Sequence, residues 1–406
     1  MKKKRHLKTG IKVILFVLLV IVLIGLLFIL NILNFKDDKG VIKSFKTTTT
    51  TTENPIKTYE VSLVATGDAL LHNPVIRAGN NGGTYDYSNI LTYTKDVISK
   101  YDIRYYNQET VSDSTKSYKG YPVFNTPVEF NQNMIDAGFN LISLASNHSM
   151  DMGIKSALAS AGWWESKTDV LATGMASSLE KRNDYRIMEK NGITYTMLNY
   201  TYGTNGIPIP NGYEYAINLF DKEQALKDIE AVRDKVDVLI VAMHWGNEYN
   251  QDITTIQKEQ AKWLGENGVD IILGAHSHCI EPWEWIDEDT VVFYSLGNFV
   301  SNQMGANTPI IKKVGVVGVF ASLNITKTVD SRDNTKTIKI DNISADLNYS
   351  YRYTNSKTGK YDYLVIPFSQ MESKYLSNYE SVYNEFSAVL KKYDDSINIA
   401  PLPIAN

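Results

Sequence analysis

Residues 269–279 read VDIILGAHSHC. Val269–Leu273 is an apolar run of strand length, closed by Gly274, and two imidazoles, His276 and His278, follow at once. An imidazole has a polar ring to satisfy, so a buried core seldom gathers histidines at the ends of its strands. A metal centre does, because neutral imidazole is a good ligand for zinc and transition ions. The chain has six histidines, and three others, His72, His148 and His244, also follow apolar, strand-like runs.

Working outward, Tyr59–Ala65 alternates and then turns apolar, ending in Thr66-Gly67-Asp68 with His72 four residues on. Tyr101–Tyr106 leads to Asn107 and Glu109. Phe139–Ala145 ends in Ser146-Asn147-His148, with Asp151 and Gly153 beyond. Ile193–Leu198 is a further strand candidate; Val236–Met243 ends in His244-Trp245-Gly246, and Val291–Leu296 in Gly297-Asn298-Phe299. Helices are expected over Tyr87–Ser99, Thr126–Ala137, about Ile154–Gly162, Asp221–Lys235 with Asp221 as its cap, and Thr254–Asn267. Ser112–Tyr121 reads as a polar surface loop and Tyr202–Gly212 as a long loop near the site. The middle of the chain therefore alternates strand and helix, and layered α/β folds collect ligands at the carboxyl edge of their strands. Beyond Val314 the pattern changes to strands of period two, Val314–Leu323, Thr337–Leu347 and Tyr361–Ile366, with a closing helix over Glu372–Lys392.

Asp68, Glu109, Asn147, His244, His276 and His278 are six candidate ligands, more than one tetrahedral zinc needs. They suit two divalent ions about 3–4 Å apart that share one carboxylate. Asp68 and His278 would hold one ion and Asn147, His244 and His276 the other, with Glu109 bridging and His72 a further candidate for the first. His148 is left free for proton transfer, and Asp151 is close enough in sequence to orient it. Each has a plainer reading: Asp68 suits a tight turn, Glu109 a solvated face, Asn147 a helix cap, and His244 beside Trp245 ordinary packing. Their conjunction at strand ends carries the metal-site reading. Glu248 and Glu281 are outer-lying or substrate-facing candidates, Trp283 and Trp285 either pocket walls or core, and Cys279 a packing residue.

Residues 1–35 contain six Lys/Arg and no acid, which leaves 35 basic and 45 acidic residues in the rest. That balance argues against general nucleic-acid binding, which needs basic surface to neutralise phosphates. A lone cysteine excludes an internal disulfide. Val13–Leu30 is a run of 18 residues without a polar side chain, diluted by Asn31 and Asn34 on its way to Phe35. A helix over 13–35 would span the roughly 30 Å of membrane hydrocarbon. The rival reading is a cleaved signal peptide, whose apolar core is usually about 7–15 residues and ends at a small-residue site. No such site lies in Leu27–Asp38. The expectation is a cytoplasmic basic tail (1–12), a single transmembrane helix (13–35) with the rest of the chain outside the cell, a flexible linker (36–57), a main domain (58–320) and C-terminal strands and helix (321–406) that complete or flank it.

The chain resembles the capsule-synthesis CapA family, represented also by the membrane-bound component of poly-gamma-glutamate synthesis and related to calcineurin-like metallophosphoesterases. The matching pieces are Thr66-Gly67-Asp68, Asn107-Gln108-Glu109-Thr110, Ser146-Asn147-His148 with Asp151 and Gly153, and His244-Trp245-Gly246 with Glu248. Gly274-Ala275-His276-Ser277-His278 with Glu281 and Tyr294-Ser295-Leu296-Gly297-Asn298-Phe299 complete the set. The resemblance implies a four-layer α-β-β-α metallophosphatase-like sandwich around two divalent ions (Mn, Fe or Zn), with Asp68, His278, Asn147, His244 and His276 as ligands. It puts Glu109 in place of the bridging aspartate and His148 where phosphoesterases keep a catalytic histidine. Two departures stand out: Leu70 replaces the histidine of the usual Asp-x-His opening, and Glu109 is one methylene longer than aspartate. The implied setting is cell-surface polymer synthesis or export, with the membrane, polymer-synthase membrane proteins and an anionic polymer or its precursor as partners. The expected activity is that of a metal-dependent hydrolase or transferase acting through a metal-bound hydroxide, with Asn298 among the supporting residues. The alternatives are a non-catalytic accessory subunit that binds metal and a degenerate scaffold that binds none.

Overall fold

Val238–His244 reads VLIVAMH, and all seven residues are buried. A strand covered on both faces needs no polar alternation, and its side chains divide between two cores. Val238, Ile240 and Ala242 meet Val61, Leu63, Ala65, Ile103 and Tyr105 from another sheet. Leu239, Val241 and Met243 lie under Ala225 and Ile229 of the helix Lys222–Val232 and under Ala261 and Leu264 of the helix Thr255–Glu266. On the far side, Val64, Tyr106 and Ile142 pack with Phe130, Met134, Ala157, Ala161 and Trp164 of the helices Val128–Ala137 and Ile154–Glu165. The computed structural model, which describes residues 55–400, is thus a mixed α/β sandwich: two sheets face to face, each with helices on its outer surface.

Among the described residues, the larger sheet has nine strands. Its main path runs Tyr361–Pro367, Thr335–Thr354, Val317–Asp330, Ile56–Ala69, Ile103–Gln108, Leu141–Ser143, Leu171–Thr173, with Asn298–Val300 paired to Ile56–Ala69. The smaller has six, in the order Trp283–Trp285, Val291–Phe293, Ile271–Ala275, Val238–His244, Ile193–Thr201, Met188–Lys190. The central neighbours in each are parallel from Ile56–Ala69 to Leu171–Thr173, and from Ile193–Thr201 to Val291–Phe293. Parallel pairing aims all their carboxyl ends the same way, so both sheets deliver the following loops to one edge. Register adds detail there: Asp68 stands opposite Asn107 on one side and Asn298 on the other.

Gly67 lets this edge close. A Cβ there would sit 1.8 Å from the Gly297 carbonyl oxygen, which accepts the Asp68 N–H at 2.8 Å. Gly67→Ala must push two backbones apart in a close-packed interior, and a loss of about 2 kcal/mol or more is expected. Chemical denaturation of the two proteins checks it; an unchanged midpoint would refute the close-approach argument.

Some expectations meet a different outcome. Residues 87–99 are not one helix but a 3-10 turn, Ser88–Leu91, and a short helix, Thr94–Ile98. The β-branched Thr92 and aromatic Tyr93 between them have low helix propensity. The closing helix is limited to Tyr379–Leu390. Ser112 and Asp113 are buried rather than part of a surface loop, because Asp113 accepts from Ser156 Oγ at 2.6 Å and Ser112 Oγ accepts from Asn131 at 2.9 Å. Residues 320 and 321 fall within the strand Val317–Asp330, which pairs with Ile56–Ala69 over most of its length. The basic tail, the expected membrane helix over 13–35 and all but the last three residues of the linker lie outside the described residues, as do 401–406. Among the described residues no helix is long and apolar enough to cross a membrane.

Candidate metal centre

Two groups of side chains converge at this edge. Ligand atoms of Asp68, Glu109 and His278 lie within 4.8 Å of one another, as do those of Glu109, His244 and His276, and all five residues are buried. Glu109 belongs to both. Its Oε1 is 3.5 Å from His278 Nε2, 4.0 Å from His244 Nε2 and 3.9 Å from His148 Nε2. Neither carboxylate oxygen has a hydrogen-bond donor among the described residues, and His276 Nδ1 likewise has no partner. Leaving buried polar atoms without partners is costly, and a carboxylate more so. A carboxylate surrounded by three imidazoles in this way fits a place between two cations.

The titration of these groups points the same way. Burial pushes the Glu109 carboxyl well above the usual carboxylate range. Burial also lowers His276 to about 3 and takes His244 well below its ordinary value, each with a neighbouring imidazole adding to the effect. Burial would lower His278 too, but Glu109 and Asp68 outweigh it and raise the ring to about 10. Divalent charge inverts this balance by favouring carboxylate and neutral imidazole together.

Asn147 completes the second group, its Oδ1 2.9 Å from His244 Nε2, while its amide donates to Asn205 Oδ1 at 3.2 Å. His148 turns the other way from its neighbour. Its Nδ1 is 2.8 Å from Asp151 Oδ2, an oxygen that also accepts the Phe124 N–H at 2.7 Å, and the Phe124 ring meets the imidazole edge-on at 4.7 Å. His72 belongs to neither cluster; burial lowers it to about 4, and its Nδ1 accepts the Asn302 N–H at 3.2 Å.

The backbone is strained where the imidazoles are presented. His276 has φ 96°, His278 φ 55° and Tyr249 φ 59°, a region that costs non-glycine residues of order 1–3 kcal/mol each unless the surroundings impose it. They do. His276 N–H donates to Asp68 Oδ2 at 3.2 Å, Tyr249 N–H to the Ser277 carbonyl at 2.7 Å, and Gln303 Nε2 to the Tyr249 hydroxyl at 2.9 Å. Gly274 permits the approach, since a Cβ there would lie 1.8 Å from the Tyr294 carbonyl oxygen.

The remaining candidates divide by location. Asn298 is fully buried and faces His278, its Oδ1 3.1 Å from Nδ1, while its amide donates to the Gly315 carbonyl at 2.7 Å. Glu281 is also buried and accepts from Gln257 Nε2 at 2.7 Å; Gln257 caps its helix with Thr254 and so ties that helix to the His276–His278 loop. Glu248 is exposed and lines the compartment beside the clusters. Trp283 is inter-sheet core, Trp285 packs against it, and Cys279 is buried.

Sequence reasoning left two contributors without a role. Asn107 Nδ2 donates to Asp68 Oδ1 at 2.9 Å and lies 3.5 Å from His244 Nδ1, while its own oxygen accepts from Ser143 Oγ at 2.6 Å. Its place two residues before Glu109, on the same strand face, was the available signal. Asn199 Oδ1 accepts the Leu144 and Ala145 N–H groups at 2.8 and 2.6 Å, joining the smaller sheet to the loop that carries Asn147. Nothing local marked it.

Comparison with known proteins adds a family. The chain is 27% identical over 256 residues to the PGA biosynthesis protein CapA of Bacillus subtilis (strain 168), covering 61% of this chain and 66% of that one. It is 25% identical over 260 residues to the capsule biosynthesis protein CapA of Bacillus anthracis, covering 61% and 62%. The match therefore spans less than two thirds of either relative's length. Solved structures that align include a phosphatase from Mycoplasma pneumoniae (15% identity, TM-score 0.41, 80% of this chain and 100% of that one). Another is the calcineurin-like phosphoesterase YfkN from Bacillus subtilis (13%, 0.38, 81% and 99%). Scores at this level carry no argument about chemistry. The model of the family described as bacterial capsule synthesis protein PGA_cap matches residues 62–303. That span is more than half of the chain, and the chain belongs to this family.

Proposed function

We propose that the protein is a hydrolase or transferase dependent on two divalent cations, acting on a phosphoester or amide bond in a cell-surface polymer or its precursor. The observation that carries the reading is Glu109, a fully buried carboxylate without a donor among the described residues, shared by two ligand clusters. The setting rests on the relatives' names, which speak of PGA and capsule biosynthesis. We extend it to an N-terminal membrane anchor over 13–35, a main domain outside the cytoplasm, and polymer-synthase membrane proteins as partners.

In this reading Asp68, His278 and Glu109 hold one cation, and Glu109, Asn147, His244 and His276 the other. When bound, two such ions supply Lewis-acid polarisation of a phosphoryl or carbonyl oxygen and favour a water-derived nucleophile near pH 7. The chain's own residues do the rest. Asn107 and Asn298 orient Asp68, His244 and His278 through the contacts above. Asp151 accepts the hydrogen bond from His148 Nδ1–H, which leaves Nε2, on the Glu109 side, as the atom that receives or delivers a proton at the leaving group. Phe124 and Tyr249 wall this edge.

The test uses the full-length chain. It is expected to take up two equivalents of Mn, Fe or Zn and to turn over a member of a phosphodiester and polyglutamate panel. His148→Ala is expected to lower kcat by about 10²–10⁴-fold at unchanged metal content. Absence of bound metal after reconstitution sinks the proposal. Tight metal binding without turnover of any panel member favours the accessory-subunit reading.

A further inference from the structure

Beside the two clusters lies a compartment of about 480 Å³ whose walls include His72, Tyr121, Phe124, Glu248, Tyr249 and Asn302. Among the described residues no lysine or arginine side chain lines it. His148 and His278 line it as well, and His72 adds a donor or an acceptor to them according to which of its nitrogens carries hydrogen.

That pattern follows from geometry. His72 Nδ1 accepts the backbone N–H of Asn302 at 3.2 Å. A ring nitrogen that accepts an N–H carries its lone pair, and an imidazolium would set a hydrogen against the Asn302 hydrogen. The ring is therefore the neutral tautomer with its proton on Nε2. Both sides of the contact are anchored. Asn302 Oδ1 accepts from Arg352 Nη1 at 3.1 Å and from the Tyr363 hydroxyl at 2.7 Å. The His72 carbonyl accepts the N–H groups of Val75 and Ile76, and the Phe124 ring meets the imidazole edge-on at 5.5 Å. A cation ligand needs a ring nitrogen with a free lone pair; on His72 one nitrogen is engaged and the other carries hydrogen.

We propose that His72 is a substrate-binding residue, its Nε2–H donating a hydrogen bond to an acceptor oxygen of the ligand beside the metal centre, and that it holds no ion. This rests on the two-cation reading above and assigns the compartment to the oxygen-bearing part of the substrate nearest the reacting bond. A glutamine at this position keeps an N–H donor of similar reach, and an alanine removes it.

Three measurements on the full-length, zinc-loaded protein test it. Long-range ¹⁵N spectra are expected to show His72 as the Nε2–H tautomer, with neither ring nitrogen shifted by zinc. Zinc content is expected to be the same in the parent, His72→Gln and His72→Ala. Calorimetric titration with inorganic phosphate is expected to show binding weakened about 5- to 10-fold in His72→Ala and less than about 2-fold in His72→Gln. An Nδ1–H tautomer, loss of one zinc in His72→Gln, or unchanged phosphate affinity in His72→Ala overturns the proposal, as does a parent protein that holds its zinc and ignores phosphate. A parent that takes up none of Zn, Mn and Fe overturns the two-cation reading and this one with it.

Discussion

Glu109→Gln is expected to abolish tight binding of both ions and to lower kcat/KM by on the order of 10³ or more, while leaving the metal-free protein at least as stable as the parent. The two halves of that result have one cause. Glu109 is 0% exposed, and both of its oxygens lack donors among the described residues. Without cations this side chain is a liability, since burial pushes its carboxyl well above the usual range and neither oxygen finds a donor among the described residues. An amide of the same size removes that cost and the shared ligand together. Ions present at 100 times their dissociation constant add about 2.7 kcal/mol per site to the parent, and the variant gains almost nothing. Thermal melts with chelator and with zinc, alongside metal analysis, read both halves. A variant that keeps two ions, or whose metal-free form is several kcal/mol weaker than the parent, would sink the bridging role.

The largest loss of stability is expected away from the site, at Asp228. This side chain, on the helix Lys222–Val232, is fully buried and accepts from Arg182 Nη2 at 2.5 Å, Tyr185 Oη at 2.6 Å, Tyr200 Oη at 2.7 Å and Gln224 Nε2 at 2.9 Å. Asp228→Ala strands a largely buried guanidinium and a buried phenol, for a cost of about 3–5 kcal/mol. A pH dependence accompanies it. Burial works to raise the Asp228 pKa, but Arg182 and the two tyrosine hydroxyls outweigh it and hold the carboxyl below its ordinary value. Its folded pKa lies under the unfolded one, near 3.9. The stabilisation is therefore complete above that pH and is lost as pH falls through the folded value. In guanidinium titrations the parent is expected to lose stability below about pH 4 more steeply than Asp228→Asn. Parallel curves for the two proteins would show that the network contributes no proton-linked stability.

The clustering of Asp68, Glu109, His244, His276 and His278 was readable because these side chains sit where local pattern is strongest. Val238–His244 and Ile271–Ala275 are unbroken apolar runs that end in His244 and run on to His276 and His278, and a buried strand announces itself by such a run. Where the reading went astray, the signal was not local. Ser112 and Asp113 look like loop residues until Ser156 and Asn131 arrive from two helices. Trp283 suited a pocket wall as well as a core until the sheets packed over it. His72 and His278 each follow a strand, yet His278 falls in a cluster with Asp68 and Glu109 while His72 meets the Asn302 N–H, 230 residues along the chain.

From its residues alone this chain specifies the alternation of strand and helix, the donors that close each strand, and the apolar amino-terminal run. Those features follow from side-chain periodicity within a dozen residues. Tertiary structure decided the rest: that Asn107 and Asn298 flank Asp68, and that the Asn302 N–H meets His72 Nδ1. Contacts between residues as far apart as Asp68 and His276, 208 positions in sequence, depend on how two sheets register across a common core, and local pattern carries no record of that register.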